Sequence, residues 1–410
     1  MKRRDFIKLG VGTYALGNVT ATIADDKQTD DPAVLFLFLG GGASHIETFN
    51  PIPLAPADRR SVTGDIKTNV AGIELGGLFK ELSKRTDKIA IPRAFGHRDQ
   101  NHTSAVHWVV TGEANFGAGT SSKWPSYGSM MSKHHGVNTE DGLPTYVKLG
   151  KYDHNGAAWL GGKYTGFDAT KEGRRDLQLM RKSEDFRTRI NVLNVIDNNF
   201  KAREQQLAKD WRDLRNQSVD IILGNGSKAF RVEEDKDYNN FKQATFGQDA
   251  LTAIRLLEAG SKFVSLSYGG WDMHQNIGQS LQAKQVELDH YLGKIMDILE
   301  ARGLYERVML VVTSEFGRTP KVNKDQGRDH FGKLAPLMIS CGSYEMGRTI
   351  GSSSPNADDF EDGRCTPEDL AWTIYDHLNM NRSSRYTATD GRPHSIVKDD
   401  AKNILKDIQA

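Results

Sequence analysis

The sequence lacks the features that membrane, disulfide-rich and nucleic-acid-binding proteins need. After residue 24 it has no run of about 18 apolar residues, which excludes a membrane-spanning helix from the mature chain. Its two cysteines, Cys341 and Cys365, are too few for a disulfide framework and leave one bridge or two free thiols open. The net charge of +1 argues against a nucleic-acid partner. Neither a dinucleotide-binding glycine fingerprint nor a haem attachment motif occurs.

The chain begins with an arginine pair, in the run Met1-Lys2-Arg3-Arg4-Asp5-Phe6-Ile7-Lys8. A weakly apolar stretch that contains glycines follows, and this pattern is typical of a twin-arginine export signal. We therefore expect residues 1–24 to be a signal peptide for the twin-arginine translocation machinery and residues 25–32 to be a polar linker. The mature protein should then be periplasmic or secreted and should not span a membrane.

Short apolar runs alternate with helical patterns along the rest of the chain. Buried strands are predicted at 33–39, 262–268, 307–313 and 334–340, and helices at 75–85, 279–302 and 367–379. This alternation predicts a single α/β domain over 33–410, with a mainly parallel sheet sandwiched by helices. A charged block at 174–259 has helical apolar spacing, and we expect it to be a helical face or insertion of that domain.

Polar side chains follow three of the predicted strands. The first strand ends in three glycines before Glu47, the strand at 262–268 precedes Asp272 and His274, and the strand at 307–313 precedes Glu315. Right-handed crossovers can bring all three strand ends to one edge of the sheet, where ligands bind in open α/β folds. The sequence therefore predicts a site with metal-ligand chemistry at that edge.

Asp272 and His274 lie two residues apart, so in extended backbone both face the same way and can share one metal ion. His330, in the run Gly327-Arg328-Asp329-His330-Phe331, is a further candidate ligand. Plainer alternatives remain for each residue: a hydrogen-bonded Asp–His turn, an ion pair of Glu315 with Arg318 or Arg328, a solvated Glu47 and a histidine on a surface loop.

The segment from 97 to 104 supplies the candidate catalytic residues, which are Arg98, His102, Thr103 and Ser104. At a helix N-terminus, Thr103 or Ser104 would sit in a positive partial field that suits an alkoxide nucleophile or an anionic ester. Capping of that helix by Asn101 or Thr103 explains the same residues equally well.

Together these motifs resemble exported bacterial proteins of the domain-of-unknown-function 1501 family, within the alkaline phosphatase and sulfatase superfamily. The resemblance covers nearly the whole mature chain. It is carried by the runs at 41–49, 101–104, 270–274, 313–320 and 327–330. It implies an alkaline phosphatase-like fold, a two-metal site and hydrolysis of phosphate or sulfate esters.

Carried over by position, the resemblance implies that Asp272, His274 and His330 hold one metal. Glu47, Glu315 and the nucleophile, Thr103 or Ser104, would hold the other. The sequence departs from the superfamily pattern in having Glu47 in place of an aspartate and Glu315-Phe316 in place of Asp-His. No cysteine stands near the nucleophile segment, which argues against the formylglycine mechanism of true sulfatases.

The leading hypothesis is therefore an exported hydrolase of anionic small-molecule or glycan esters that uses one or two divalent ions, Zn, Mn or Ca. Two ions, or one ion with Arg98, would stabilise the charge on the transferring group. The alternative is a catalytically silent protein of the same fold that binds anionic glycans or an exported partner. The loss of a metal ligand implied by Phe316 favours this second hypothesis.

Overall fold

The structure is a computed structural model that describes residues 31–114, 122–140, 142–170, 219, 221, 225–388 and 391–409. The predicted signal peptide, nearly all of the predicted linker and much of the predicted helical block at 174–259 lie outside these residues. Within the described part of the chain, none of the helices is long and apolar enough to cross a membrane.

Sixteen strands and six α-helices are described. The strands are β1 (Ala33–Phe38), β2 (Asp65–Lys67), β3 (Glu74–Gly76), β4 (Ala90–Pro92), β5 (Tyr146–Leu149), β6 (Phe167–Asp168), β7 (Phe263–Ser267), β8 (Val308–Thr313), β9 (Gly317–Arg318), β10 (His330–Phe331), β11 (Leu337–Ser340), β12 (Arg348–Ile350), β13 (Ser352–Ser353), β14 (Phe360–Asp362), β15 (Arg385–Thr387) and β16 (Pro393–Ser395). The helices are α1 (His102–Thr111), α2 (Tyr127–His135), α3 (Tyr238–Phe241), α4 (Thr245–Glu258), α5 (Ile277–Ala301) and α6 (Pro367–His377).

Eight of these strands form the central sheet, in the order β12-β4-β11-β8-β1-β7-β5-β6. Strand β11 runs antiparallel to both of its neighbours, and every other neighbouring pair is parallel. The predicted mainly parallel sheet is thus confirmed. In register, Phe38 of β1 pairs with Ser267 of β7 and with Thr313 of β8. Three parallel strands therefore end level with one another, and the polar segments after them leave from one edge.

Helices cover both faces of the sheet because the strands are apolar on both sides. In β1, Leu35 and Leu37 join a core with α4 and α5, whereas Phe36 and Phe38 join a second core with α1, α2 and α6. All six residues of this strand are buried, as a central parallel strand requires. The α/β sandwich predicted from the alternation of strands and helices is therefore confirmed.

Two local expectations need correction or completion. The helix predicted at 75–85 is wrong: β3 occupies Glu74–Gly76, and a 3₁₀-helix follows at Leu82–Lys88. A Cβ at Gly76 would meet the carbonyl oxygen of Glu47 at 1.9 Å, so close packing of extended backbone decides this segment. Cys341 and Cys365 are both buried and both free, so the open question of a disulfide resolves to two thiols.

His45 lies in the loop after β1 and is buried, with its ring stacked on Phe331 at 6.2 Å. Burial, assisted by the charge of Arg328, lowers the pKa of His45 from 6.5 to about 3. As the pH falls below 6.5, the unfolded chain therefore takes up a proton at this residue that the folded chain refuses. The folded state loses stability in the interval between these two pKa values.

We predict that replacing His45 by Gln reduces the acid sensitivity of folding. Between pH 7 and pH 5, the shift to about 3 makes this residue cost the native protein about 2 kcal/mol. Urea unfolding at both pH values should show a smaller pH-dependent loss in H45Q by that amount. An identical pH dependence in the two proteins would contradict a buried neutral His45.

Candidate metal centre

Four side chains from distant parts of the sequence meet beyond the carboxyl ends of β1, β7 and β8. They are His102, Asp272, His274 and His330, which we call the cation cluster. Asp272 and His274 follow β7, His330 opens β10, and His102 opens α1. The sequence prediction that Asp272, His274 and His330 converge is met by the geometry. His102, predicted as a catalytic residue, joins them as a fourth donor.

The ligand atoms of the cluster are within coordinating reach of one another. His274 Nε2 is 2.9 Å from Asp272 Oδ1 and 3.0 Å from His330 Nε2. His330 Nε2 is 3.2 Å from the same carboxylate oxygen. The donors of His102, Asp272 and His330 also lie within 4.8 Å of one another. Bonds of about 2.0–2.1 Å to a tetrahedral zinc ion put neighbouring donors roughly 3.3 Å apart, so the spacing fits one small cation.

Each histidine of the cluster has its other ring nitrogen held by an acceptor. The Nδ1 atom lies 2.7 Å from Glu315 Oε1 in His102, 3.0 Å from Asp329 Oδ1 in His274, and 2.9 Å from the Gln100 carbonyl oxygen in His330. Carboxylate and carbonyl oxygens only accept hydrogen bonds, so each Nδ1 carries the proton. In the neutral rings, all three Nε2 atoms therefore present lone pairs to the cluster.

Lone pairs that face each other and a carboxylate repel unless a proton or a cation lies between them. The hydrogen bonds on Nδ1 are also the partners that metal-ligating histidines use to fix ring orientation. The four side chains are between 25% and 48% exposed, so the cluster is accessible from solvent. The residues present thus fit a divalent cation with nitrogen and oxygen ligands.

Behind the cluster lies a fully buried arginine, Arg318. Its Nη2 atom donates to Asp272 Oδ1 at 2.6 Å, and its Nη1 atom lies 3.3 Å from His274 Nε2. The remaining donors bond to backbone carbonyls, those of Gly41, Gly42 and Arg328. Although burial opposes ionisation of Asp272, the Arg318 hydrogen bond and charge lower the pKa of this carboxyl to about 2. Asp272 is therefore an anion throughout the physiological pH range.

The glycine turn after β1 holds the segments of the cluster together. Gly41 has φ of +114°, and a Cβ there would meet the amide nitrogen of Asp272 at 2.7 Å. The Gly41 amide donates to Glu315 Oε1 at 2.9 Å, and Ser314 Oγ contacts Glu315 Oε2 at 3.0 Å. Glu315 is thus fixed by the turn, and its hydrogen bond raises the pKa of His102. Glu315, predicted as a metal ligand, lies against His102 and orients its ring.

The structure does not bring Glu47 to the cluster, although the sequence predicted it as a metal ligand. Its carboxylate is fully buried and accepts hydrogen bonds from Arg328 at 2.9 Å and from Ser61 at 2.6 Å. The Val62 amide supplies another, at 3.1 Å. Thr63 Oγ1 is a third neutral donor, at 3.5 Å. A buried carboxylate enclosed by an arginine and three neutral donors is a structural anchor, because its oxygens are already engaged and have no access to solvent.

The remaining predicted catalytic residues lie around the cluster rather than in it. Arg98 is exposed, and its charge acts on Asp359; Arg318 is the arginine at the cluster. The amides of Thr103 and Ser104 both donate to Asn101 Oδ1, so the predicted N-cap of α1 is present. In the part of the chain that the structure describes, neither hydroxyl hydrogen-bonds to a cluster residue. Their role as nucleophile stays a prediction.

Two residues of the site were not predicted from the sequence, Arg318 and Asp329. Arg318 was considered only as a partner for Glu315, and Asp329 only as the neighbour of His330. Asp329 accepts from Asn323 Nδ2 at 3.1 Å as well as from His274, and the His274 hydrogen bond lowers its pKa. Its place directly before His330 gave no signal for this contact, because Asp329 lies behind His274, 55 residues away in the sequence.

The family of the chain follows from its sequence as a whole. Residues 31–408 match the family described as "Protein of unknown function (DUF1501)". The chain belongs to the DUF1501 family. The resemblance noted in its motifs is thereby confirmed for the family. Membership of this family does not identify a reaction. No curated protein matches the sequence.

Solved structures similar to this DUF1501 protein include the PsFucS1 sulfatase from Pseudoalteromonas sp., with 13% identity, a TM-score of 0.46, and coverage of 93% of this chain and 73% of that one. The phosphonate monoester hydrolase of Agrobacterium radiobacter has 10% identity, a TM-score of 0.39, and coverage of 85% and 74%. A protein in the alkaline phosphatase superfamily from Vibrio parahaemolyticus has 9% identity, a TM-score of 0.41, and coverage of 94% and 72%. Likenesses this remote say nothing about substrate or reaction.

We predict that Glu47→Gln destabilises the protein without removing its capacity for metal. The substitution leaves the buried Arg328 guanidinium without its counter-charge, which costs about 3 kcal/mol. Urea unfolding measures this loss, and Glu345→Gln, on an exposed glutamate, is the matched control. Metal analysis of the folded E47Q protein should give the wild-type ion content. A loss of bound metal with unchanged stability would instead make Glu47 a ligand.

Proposed function

We propose that this protein is an exported, metal-dependent hydrolase of phosphate or sulfate esters that holds one divalent cation in the cation cluster. The observation that carries the proposal is the convergence of three Nε2 atoms on the Asp272 carboxylate, with every Nδ1 atom held by an acceptor. Export, to the periplasm or beyond the cell, is supported by the twin-arginine pattern in residues 1–24.

The donor set favours zinc or manganese over calcium. Three imidazole nitrogens and one carboxylate suit zinc and other first-row divalent metals, whereas calcium takes six to eight oxygen ligands. When bound, such a cation acts as a Lewis acid that polarises a phosphoryl or sulfuryl oxygen of the ester. The half-exposed cluster leaves room for that oxygen on its solvent side.

A single cation is favoured because Arg318 already supplies the second positive charge. Its guanidinium lies 2.6 Å from Asp272 Oδ1 and is anchored by backbone carbonyls, so it has no freedom to make way for an ion. The nearby carboxylates are also engaged, Glu315 with His102 and Asp329 with His274. Phe316 closes the remaining side, with its ring 4.6 Å from that of His330.

The chain's own residues have separable roles in this proposal. Glu315 and Asp329 orient His102 and His274, and Arg318 keeps Asp272 ionised. Thr103 and Ser104 directly follow His102 in the first turn of α1, where the helix N-terminus stabilises negative charge. Either hydroxyl remains the candidate nucleophile that would attack the phosphorus or sulfur atom.

A second candidate function is a silent binding protein that holds an anionic glycan or an exported partner at the same cluster. The packing of Phe316 against His102 at 4.9 Å favours it, since an apolar ring occupies a place next to the donors. The two candidates differ in turnover and agree in metal binding. Assays on aryl phosphates and aryl sulfates with added zinc or manganese therefore discriminate between them.

We predict that Asp272→Asn abolishes both metal binding and ester hydrolysis. The amide keeps the shape of the side chain but removes the anion on which the three imidazoles converge. Metal content by mass spectrometry should fall from about one ion to below about 0.1 per chain, and turnover of the best aryl ester should fall at least about 100-fold. Asp325→Asn, on an exposed carboxylate in the neighbouring loop, is the control. Full metal content in D272N would defeat the proposal.

We also predict that the metal-binding stoichiometry saturates at about one ion per chain. Calorimetric titration of the metal-free protein with zinc or manganese should show one tight site, because Arg318 fills the space of a second ion. The measurement depends on metal alone, so it holds whether or not the protein turns over an ester. Two tight sites of similar affinity would show that Arg318 does not replace a cation.

A further inference from the structure

A cleft of about 580 Å³ opens beside the cation cluster, with His102 and Glu315 in its wall. This volume falls within the range of small-molecule pockets, roughly 300–1,000 Å³. The cleft extends along the carboxyl edge of the sheet, past Phe38 at the end of β1 and Ser267 at the end of β7, to Lys148 on β5 and Asp168 on β6. A ligand bound at the cluster would therefore continue into this space.

The strand order sets how far the cleft reaches. Strands β1 and β5 are separated by β7, and neighbouring strands lie about 4.8 Å apart, so Lys148 is roughly 10 Å from β1 across the sheet. Val147 and Leu149 point to the opposite core, which puts Lys148 on the face that carries α1 and His102. This distance is too long for contact with the reacting group and matches the far part of a larger substrate.

Lys148 and Asp168 present opposite charges side by side without closing an ion pair. They are register partners on the parallel strands β5 and β6. Among the described residues, the Lys148 ammonium makes no hydrogen bond or ion pair, although burial lowers its pKa. Asp168 uses one carboxylate oxygen to accept from the Thr170 amide, at 3.1 Å. A donor and an acceptor are therefore both available to a ligand in the cleft.

We propose that this cleft binds a sugar residue of the ester substrate, with Lys148 and Asp168 hydrogen-bonding its hydroxyl groups. The proposal rests on the proposed hydrolase function and adds the class of the alcohol that the ester carries. A hydroxyl group both donates and accepts, so adjacent hydroxyls of one sugar satisfy an ammonium and a carboxylate together. The Tyr152 ring in the cleft wall, 4.8 Å from that of Phe38, offers an apolar face to the ring of the sugar.

Other ligand classes fit the lining less well. Two lysines, Lys148 and Lys151, face three carboxylates in this cleft, so it has no excess of positive charge for a polyanionic chain. Apolar side chains are confined to the end near β1, where Phe38 and Val106 lie, so a lipid tail would leave the far charges unpaired. Neutral hydroxyl groups need no excess of positive charge, and they can hydrogen-bond to the charged side chains at the far end.

The test compares a sugar ester with an aryl ester of the same acid, using glucose 6-phosphate against 4-nitrophenyl phosphate and the corresponding pair of sulfates. In the metal-loaded protein, Lys148→Met and Asp168→Asn should each lower the ratio of kcat/KM for the sugar ester over the aryl ester at least about tenfold. Metal content should stay at the wild-type value. Lys80→Met, on an exposed lysine elsewhere, should leave the ratio within about twofold.

An unchanged ratio in both variants would overturn the sugar assignment while leaving the hydrolase intact. If the protein hydrolyses no ester, saturation-transfer NMR with methyl glucoside and glucose 6-sulfate tests separately whether the cleft binds a sugar. Signals that weaken in K148M support sugar binding and sink only the catalytic proposal. The absence of any signal with the wild-type protein sinks the sugar proposal as well.

Discussion

Asp272 is held between the buried guanidinium of Arg318 and three imidazole nitrogens, and the rest of the site depends on that position. Arg318 has no exposed surface, and its guanidinium is tied to the carbonyls of the glycine turn after β1. The buried arginine therefore fixes the position of the carboxylate relative to the edge of the sheet. Arg318 also lowers the pKa of Asp272, so the carboxylate is ionised on the side that faces the histidines.

The orientation of the three histidines is set by residues outside the cluster. Glu315, Asp329 and the Gln100 carbonyl each accept a hydrogen bond from Nδ1 and so turn Nε2 toward Asp272. These acceptors come from three loops, and one of them, the carboxylate of Glu315, was predicted from the sequence as a metal ligand. Orientation of this kind holds the rings in place, so binding of the proposed cation would lose less free energy in ordering them.

The parts of this fold that depend on periodicity could be predicted from the sequence. Apolar runs located β1, β7 and β8, and the parallel pairing of these strands places Asp272 and His274 at one edge, as their positions implied. His330 reaches the same edge through the antiparallel pairing of β10 with β9, which follows β8. The placement of Glu47 could not be predicted, because the path of the chain after Gly41 and Gly42 depends on positive φ angles that no side-chain pattern encodes. Its partner Arg328 lies 281 residues away in the sequence.

Glu47 and Asp272 are both carboxylates paired with a buried arginine, and their surroundings distinguish a structural anchor from a proposed metal ligand. Glu47 has no exposed surface, and its oxygens accept hydrogen bonds from Arg328, Ser61 and Val62. The Asp272 side chain is 48% exposed, and it contacts both Arg318 and the open cluster. Arg328 also bonds to the carbonyls of Arg59 and Arg60 and directly precedes Asp329 and His330. The Glu47–Arg328 pair thus anchors the loop that supplies His330 and also Asp329, the carboxylate that orients His274. Glu47 therefore supports the proposed cation site through the backbone of that loop and is not itself a proposed ligand.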